Sequence, residues 1–69
     1  MNNLTPREIE VLLYTSMGLK PKEISKEMGV ALKTIYDYSY HIYDKLEGDI
    51  RPKSLNEAVE MWREYNGVC

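Results

Sequence analysis

His41 and Cys69 are the residues of this sequence best suited to catalysis or metal binding, and each of them stands alone. No acidic residue or second histidine joins His41 at the spacing of a recognisable metal site. Cys69 has no second cysteine with which to form an internal disulfide. The glycines each follow a predicted helix rather than forming a phosphate-binding loop, and no nucleophile lies beside a base. The sequence therefore predicts a protein that is not an enzyme and that needs neither a metal nor a cofactor.

The size and composition of the chain favour a small binding module. Its 69 residues suffice for one domain, predicted to span 1–69, and leave little room for a catalytic cleft with its supporting shell. No apolar run approaches the roughly 20 residues of a membrane span, and the N-terminus lacks the pattern of a signal peptide. We therefore expect a cytoplasmic protein with no membrane contact. The net charge of −2 argues against a general affinity for nucleic acid.

The first helix is predicted over residues 6–17. Thr5-Pro6-Arg7-Glu8 combines an N-cap threonine, a proline at the first helical position and a glutamate three residues after the cap. Leu12, Leu13 and Met17 then recur at helical spacing and predict an apolar face.

Three further helices are predicted at residues 21–28, 32–47 and 55–65, with Gly29, Gly48 and Gly67 after them. The third helix has an apolar stripe at Leu32, Ile35, Ser39, Ile42 and Leu46. A second capping box, Ser54-Leu55-Asn56-Glu57, opens the fourth. Because no segment alternates with period two, we predict an all-α fold of four helices and no sheet.

The second and third helices form a short helix, a glycine-containing turn and a longer helix. This order is typical of a helix-turn-helix, in which the second helix can enter the DNA major groove. An ordinary αα-hairpin in a small bundle has the same spacing.

The residues resemble those of the LuxR/GerE-type helix-turn-helix family. The resemblance starts at Leu4-Thr5-Pro6-Arg7-Glu8-Ile9-Glu10-Val11-Leu12, which is similar to that family's L-T-x-R-E-x-E-V-L. Further matches follow in order at Gly18-Leu19, Lys22-Glu23-Ile24-Ser25, Thr34-Ile35, Ile42-Tyr43-Asp44-Lys45-Leu46 and Glu57-Ala58-Val59. The resemblance implies the family's fold and DNA binding in transcription regulation.

The chain departs from the family pattern on the surface that should touch DNA. Ala31 stands where a serine usually caps the recognition helix. Tyr36 replaces a frequent lysine, and Tyr38 replaces a common histidine. The loop between Arg51 and Glu57 is longer than usual. These differences bear on how DNA is bound rather than on the fold.

Charge is unevenly distributed along the chain. Residues 20–33 sum to +2, whereas residues 34–50 sum to −3. The cations around the start of the helix-turn-helix, together with Arg51 and Lys53 in the loop before the fourth helix, can flank a groove and hold phosphates. Interleaved lysines and glutamates on the second helix are also typical of a solvated helix face. We predict phosphate contacts by Lys20, Lys22 and Lys45, and the family resemblance implies phosphate contacts by Lys33 and Thr34 as well.

The resemblance places Tyr36, Asp37 and Tyr40 at base edges. Tyrosine rings can touch thymine methyl groups, and a carboxylate can accept from a cytosine amino group. Tyr38 and Tyr43 are predicted to be partly buried in the core.

The function predicted is that of a small, stand-alone transcriptional regulator that binds double-stranded DNA, with a homodimer supplying avidity. The predicted dimer interface consists of Ala58, Met61 and Tyr65 on the fourth helix, unless these residues simply close the core. An alternative function is also consistent with the sequence. Because the exposed pair Tyr36 and Tyr40 lies among acidic groups, the domain would instead bind another transcription protein. In that case it would be an antagonist or co-regulator of a transcription factor or RNA polymerase that kept the fold but lost DNA affinity.

Overall fold

The computed structural model describes residues 4–46 and 51–65, and these ranges contain four α-helices and no strand. The helices are α1 (Pro6–Ser16), α2 (Pro21–Met28), α3 (Leu32–Leu46) and α4 (Leu55–Tyr65). The predicted all-α fold is therefore confirmed, with helix ends that agree within one residue wherever they are described. Residue 47 and the predicted helix stops Gly48 and Gly67 lie outside the described residues, as does Cys69.

The capping box predicted at α1 is present in full. Thr5 Oγ1 accepts from the Glu8 backbone N–H at 3.2 Å, and Glu8 Oε1 accepts from the Thr5 backbone N–H at 2.9 Å. At α4 only half of the predicted box forms. Ser54 Oγ accepts from the Glu57 N–H at 3.3 Å, but the Glu57 carboxylate accepts from Lys53, one residue earlier than predicted, at 3.0 Å.

The turn between α2 and α3 depends on a left-handed glycine. Gly29 has φ 70° and ψ 33°, a conformation that residues with a Cβ rarely adopt. The Val30 N–H donates to the Ser25 carbonyl at 3.0 Å and closes the end of α2. The chain can then start α3 at once, with the Ala31 carbonyl accepting from the Thr34 N–H at 3.0 Å. The predicted helix-turn-helix is thus present.

The core lies where the four helices meet. Its buried apolar residues are Val11, Leu12, Ile24, Ile35, Ile42, Leu46, Leu55, Ala58 and Val59. Of the stripe predicted on α3, Ile35, Ser39, Ile42 and Leu46 are buried, whereas Leu32 at the helix start is only half-buried. The Ser39 hydroxyl donates to the Ile35 carbonyl at 2.9 Å.

The apolar face predicted for α1 is partly wrong. Leu12 is fully buried, but Leu13 is 46% exposed and Met17 is 69% exposed. The buried face of α1 instead includes Glu8 and Thr15. The Glu8 carboxylate accepts a hydrogen bond from the Thr5 N–H, and the Thr15 hydroxyl donates to the Val11 carbonyl at 2.8 Å. Because their polar atoms have partners, both side chains can be buried at little cost. Within the described ranges, no helix combines the length and apolar character that crossing a bilayer requires.

Candidate nucleic-acid interface

A groove of about 520 Å³ opens between the start of α2, the outer side of α3 and the start of α4. Lys20 and Pro21 line it from α2, Tyr36 and Tyr43 from α3, and Ser54 from the residue before α4. It brings together Lys20 and Tyr36, which were predicted to contact a phosphate and a base respectively. The groove is therefore the natural centre of the candidate interface.

Two helix N-termini border this groove. The start of α2 is fixed by the Lys20 N–H, which donates to Glu23 Oε1 at 2.8 Å, and Lys22 lies exposed in the first turn. The start of α4 is bordered by Lys53, which also lines the groove. Helix N-termini carry partial positive charge. The starts of α2 and α4, together with the lysines that precede them, Lys20 and Lys53, therefore favour an anion in the groove.

Lys53 is a candidate contact that the sequence analysis counted among the basic residues able to hold phosphates but did not name among the predicted phosphate contacts. The signal was present, since a lysine directly before a capping serine lies beside the positive end of a helix. What the sequence lacked was the groove that Lys53 shares with Lys20 and Tyr36, which only the packed fold shows.

The outer face of α3 presents the side chains predicted to meet bases. Tyr36 is 47% exposed and Tyr40 is 60% exposed, while Asp37 between them is also exposed. Lys33 is exposed one turn earlier, and the adjacent Thr34 is half-buried. Tyr38 and Tyr43 pack partly buried against the core, as predicted.

Tyr40 is held by a second aromatic ring. The ring centroids of Tyr40 and Tyr43 lie 6.2 Å apart, with the ring planes at 80° in an edge-to-face contact. The guanidinium of Arg51 lies 5.9 Å from the centroid of the Tyr43 ring. Burial raises the pKa of the Tyr43 hydroxyl, reinforced by Tyr40 and Glu57 and opposed by Arg51. Tyr43 is therefore a neutral hydroxyl donor at physiological pH.

Lys45 lies on a different side of α3. Its Nζ atom donates to Glu8 Oε1 at 2.8 Å, and its side chain is only 30% exposed. Nine residues, or about two and a half helical turns, separate it from Tyr36, so the two side chains point in opposite directions. The predicted phosphate contact at Lys45 therefore has a competing partner and no place in the groove.

Glu8 is the anion that holds this side of the structure together. Its side chain is 3% exposed, and the exposed His41 places Nδ1 at 3.8 Å from Oε2. Burial opposes ionisation, but the hydrogen bonds from Lys45 and the Thr5 N–H, together with the electrostatic influence of Lys45 and of the nearby His41, outweigh it. The pKa of Glu8 is consequently below its ordinary value.

The acidic character of α3 is reduced by ion pairs. Asp44 pairs with Arg51, a residue from the segment before α4. Asp37 makes no ion pair with any residue in the described ranges, 4–46 and 51–65. On the face of α3 that carries Tyr36 and Tyr40, Asp37 is thus the one carboxylate without an ion-pair partner among the described residues.

The predicted dimer residues have different positions in the structure. Ala58 is 0% exposed and belongs to the core, so its side chain has no surface for a second copy, and its prediction is corrected. Met61 is half-buried and packs against the same core. The side chain of Tyr65 lies outside the described residues. Over the part of the chain that is described, no group of three or more His, Cys, Asp or Glu residues is placed to hold a metal ion.

A short helix, a glycine turn and a long helix with an exposed outer face define a helix-turn-helix domain. The chain belongs to the luxR family of bacterial regulatory proteins, whose family model matches residues 2–61. The family resemblance seen in the sequence is thereby confirmed. Because this is a family of regulatory proteins, the chain is not an enzyme.

Similar proteins include several named as regulators. The chain is 38% identical over 64 residues to the probable HTH-type transcriptional regulator GfsR of Streptomyces halstedii, covering 93% of this chain and 25% of that protein. It is 34% identical over 50 residues to the response regulator UvrY of Escherichia coli K12, covering 70% of this chain and 23% of UvrY. It is 35% identical over 57 residues to the putative HTH-type transcriptional regulator Rv0890c of Mycobacterium tuberculosis, covering 83% of this chain and 6% of that protein.

The chain thus spans a quarter or less of the length of these curated relatives. No solved structure gives a significant match.

Proposed function

We propose that this chain binds double-stranded DNA as a transcriptional regulator, with α3 in the major groove and the starts of α2 and α4 on the phosphate backbone. The observation that carries the proposal is the groove, which joins Lys20 and Lys53 at two helix N-termini to Tyr36 on the exposed face of α3. Cations and helix N-termini suit phosphates, and a helix face suits the major groove.

The charge distribution supports this orientation. Lys20, Lys22 and Lys53 are exposed around α3, while Asp44 is paired with Arg51. Phosphate strands on either side of α3 would then meet lysines. The net charge of −2 still leaves little general attraction to DNA, so the affinity of one domain should be low and should fall steeply with salt.

The experiment is selection of binding sites from a random DNA pool at low salt, followed by affinity measurements at several salt concentrations. Lys20→Ala and Lys22→Ala should weaken binding to all sequences alike and each reduce the salt slope by about 1. Tyr36→Ala should change the preferred sequence instead. Lys26→Ala is the matched control, because Lys26 is also exposed on α2 but lines a separate cleft with Met17. Absence of any enrichment or retention at low salt would refute DNA binding.

We further propose that two copies pair through α4, with Met61 and Tyr65 in the interface and without Ala58. Support comes from the partial exposure of Met61 and from the avidity that a weakly binding domain requires. A symmetric pair would bind two half-sites in inverted orientation.

A second candidate function rests on the exposure of Tyr36 and Tyr40, since exposed aromatic residues are also enriched in protein interfaces. In this case the chain would bind another transcription protein and block it. The chain would then displace a luxR-family domain from its operator without binding that DNA itself, and Tyr36→Ala or Tyr40→Ala would abolish the effect.

A further inference from the structure

The exposed face of α3 has an unusual chemical character for a surface that reads bases. At its centre are two tyrosine rings one helical turn apart, Tyr36 and Tyr40, and one carboxylate, Asp37. No arginine lies in α3, and its two lysines occupy the ends of the helix, Lys33 near the start and Lys45 on the opposite side with Glu8. The usual bidentate donors to guanine are therefore missing from the centre of this face.

The Tyr40 ring is oriented before any ligand binds. Its contact with Tyr43 is edge-to-face at 6.2 Å, and Tyr43 is itself fixed between the core and the Arg51 guanidinium. Arg51 is fixed in turn by its ion pair with Asp44. A ring held in this way loses less conformational entropy when it packs against a ligand than a freely rotating ring would.

Base pairs differ in what they offer to such a surface. Thymine presents an apolar C5-methyl group in the major groove, and cytosine presents an amino donor. Guanine presents two acceptors, N7 and O6, which a carboxylate repels. Two rings with a carboxylate to one side of them therefore match thymine methyl groups beside a cytosine amino group, and they mismatch guanine.

We propose that this domain recognises pyrimidines: Tyr36 and Tyr40 contact thymine C5-methyl groups, Asp37 accepts from a neighbouring cytosine amino group, and Tyr43 positions Tyr40. The inference rests on the proposed insertion of α3 into the major groove. It goes further because it names the base atoms that are contacted and assigns Tyr43 a role in specificity without contact to DNA.

The test replaces single thymines by uracil in a selected binding site, which removes only the methyl group. At the thymines in contact, we expect the affinity of the full chain to fall about threefold to fivefold per methyl, as expected for the loss of one buried methyl group. Tyr40→Ala should abolish the thymine preference at its position, whereas Tyr40→Phe should retain it. Asp37→Asn should relax the preference for cytosine, because an amide can also donate to a guanine or adenine acceptor.

The role of Tyr43 in positioning Tyr40 is tested with two variants that keep a large apolar side chain at position 43. Tyr43→Phe preserves the ring edge and should leave the thymine-to-uracil ratio unchanged. Tyr43→Leu removes the ring and should lower that ratio towards one, while binding to other positions persists. Thermal unfolding of both variants checks that the core is intact, and a lower ratio in Tyr43→Phe as well would contradict the role of the ring contact.

The outcomes separate the two levels of the proposal. If no DNA is bound at low salt, the proposed function fails. If DNA is bound but uracil replaces every thymine without loss, or if the loss is the same in Tyr36→Ala and Tyr40→Ala as in the unmodified chain, pyrimidine reading fails while DNA binding stands. A dominant loss on replacing guanine by 7-deazaguanine would also overturn pyrimidine reading.

Discussion

The Nζ atom of Lys45 lies 2.8 Å from Oε1 of Glu8, and this hydrogen bond ties the last turn of α3 to the first turn of α1. The same carboxylate oxygen accepts from the Thr5 N–H and so completes the cap of α1. One buried glutamate thus starts one helix and fixes the end of another. Because the proposed recognition surface lies on α3, this pair would help to hold the angle at which that surface is presented.

The ionisation of Glu8 should make stability depend on pH. Its pKa is lower in the folded state than in the unfolded chain, so ionised Glu8 stabilises the fold above its unfolded pKa. This contribution should be lost progressively as the pH falls below about 4.3, the ordinary pKa of a glutamate, and through the lower pKa of folded Glu8. We expect Glu8→Gln to lower the free energy of unfolding by about 1–2 kcal/mol at pH 7 and to flatten this pH dependence. Urea denaturation across this pH range measures both effects.

Glu10→Gln is the control for this prediction, because Glu10 is exposed and its ion-pair partner among the described residues is the exposed Arg7, at 3.3 Å. It should retain the pH dependence of the original chain. An equal flattening in both variants would show that the pH effect does not arise at Glu8.

The start of α3 should be open to improvement. Ala31 precedes the helix and its carbonyl accepts from the Thr34 and Ile35 N–H groups, but its side chain cannot cap the helix. Ala31→Ser should therefore raise the free energy of unfolding by about 1 kcal/mol. Ala31→Val, which adds bulk without a hydroxyl, should give no gain. Thermal unfolding of the two variants is the measurement, and equal melting temperatures would argue against an uncapped helix start.

Two substitutions, one within α1 and one at the residue that follows it, should differ widely in their effect on the free energy of unfolding. Leu12 is 0% exposed, so Leu12→Ala should lower the free energy of unfolding by about 2–5 kcal/mol. Met17 is 69% exposed, so Met17→Ala should change it by no more than about 0.5 kcal/mol. Chemical denaturation compares them directly. A large loss from Met17→Ala would mean that Met17 is buried in solution.

The proposed pairing through α4 predicts a change in mass. Tyr65→Ala and Met61→Glu should each lower the apparent mass in sedimentation and weaken binding to a two-half-site operator more than to one half-site. Glu60→Ala, an exposed change on another side of α4, should leave the mass unaltered. An unchanged sedimentation profile in all three variants would remove α4 as the dimer surface.

The sequence was sufficient to predict the four helices because local chemistry determines their ends. Thr5 and Glu8 signal the start of α1 through atoms only three residues apart, and Gly29 marks the end of α2 through its own backbone preference. Capping boxes and C-terminal glycines predict helix ends well because hydrogen bonds between residues close in sequence form those ends.

The errors concern contacts between helices. Lys45 meets Glu8 across 37 residues of sequence, and no helical periodicity predicts such a pairing. Met17 was also wrongly assigned to the buried face of α1: it is the C-cap residue that follows the helix, so helical spacing no longer determines where its side chain lies. Ala58 was predicted at a dimer interface from its position on the helix, whereas its small side chain is buried in the core.

On the proposed reading of bases by α3, the contact of Arg51 with Tyr43 would let residues outside that helix influence its selectivity. In most binding surfaces, a new preference requires replacing a residue that touches the ligand, with the risk of losing the old affinity at the same step. Here a substitution at Arg51 would rotate or release a ring one contact away and alter selectivity gradually. The segment before α4 is thus a route by which related domains can diverge in target choice during evolution while their recognition helices stay the same.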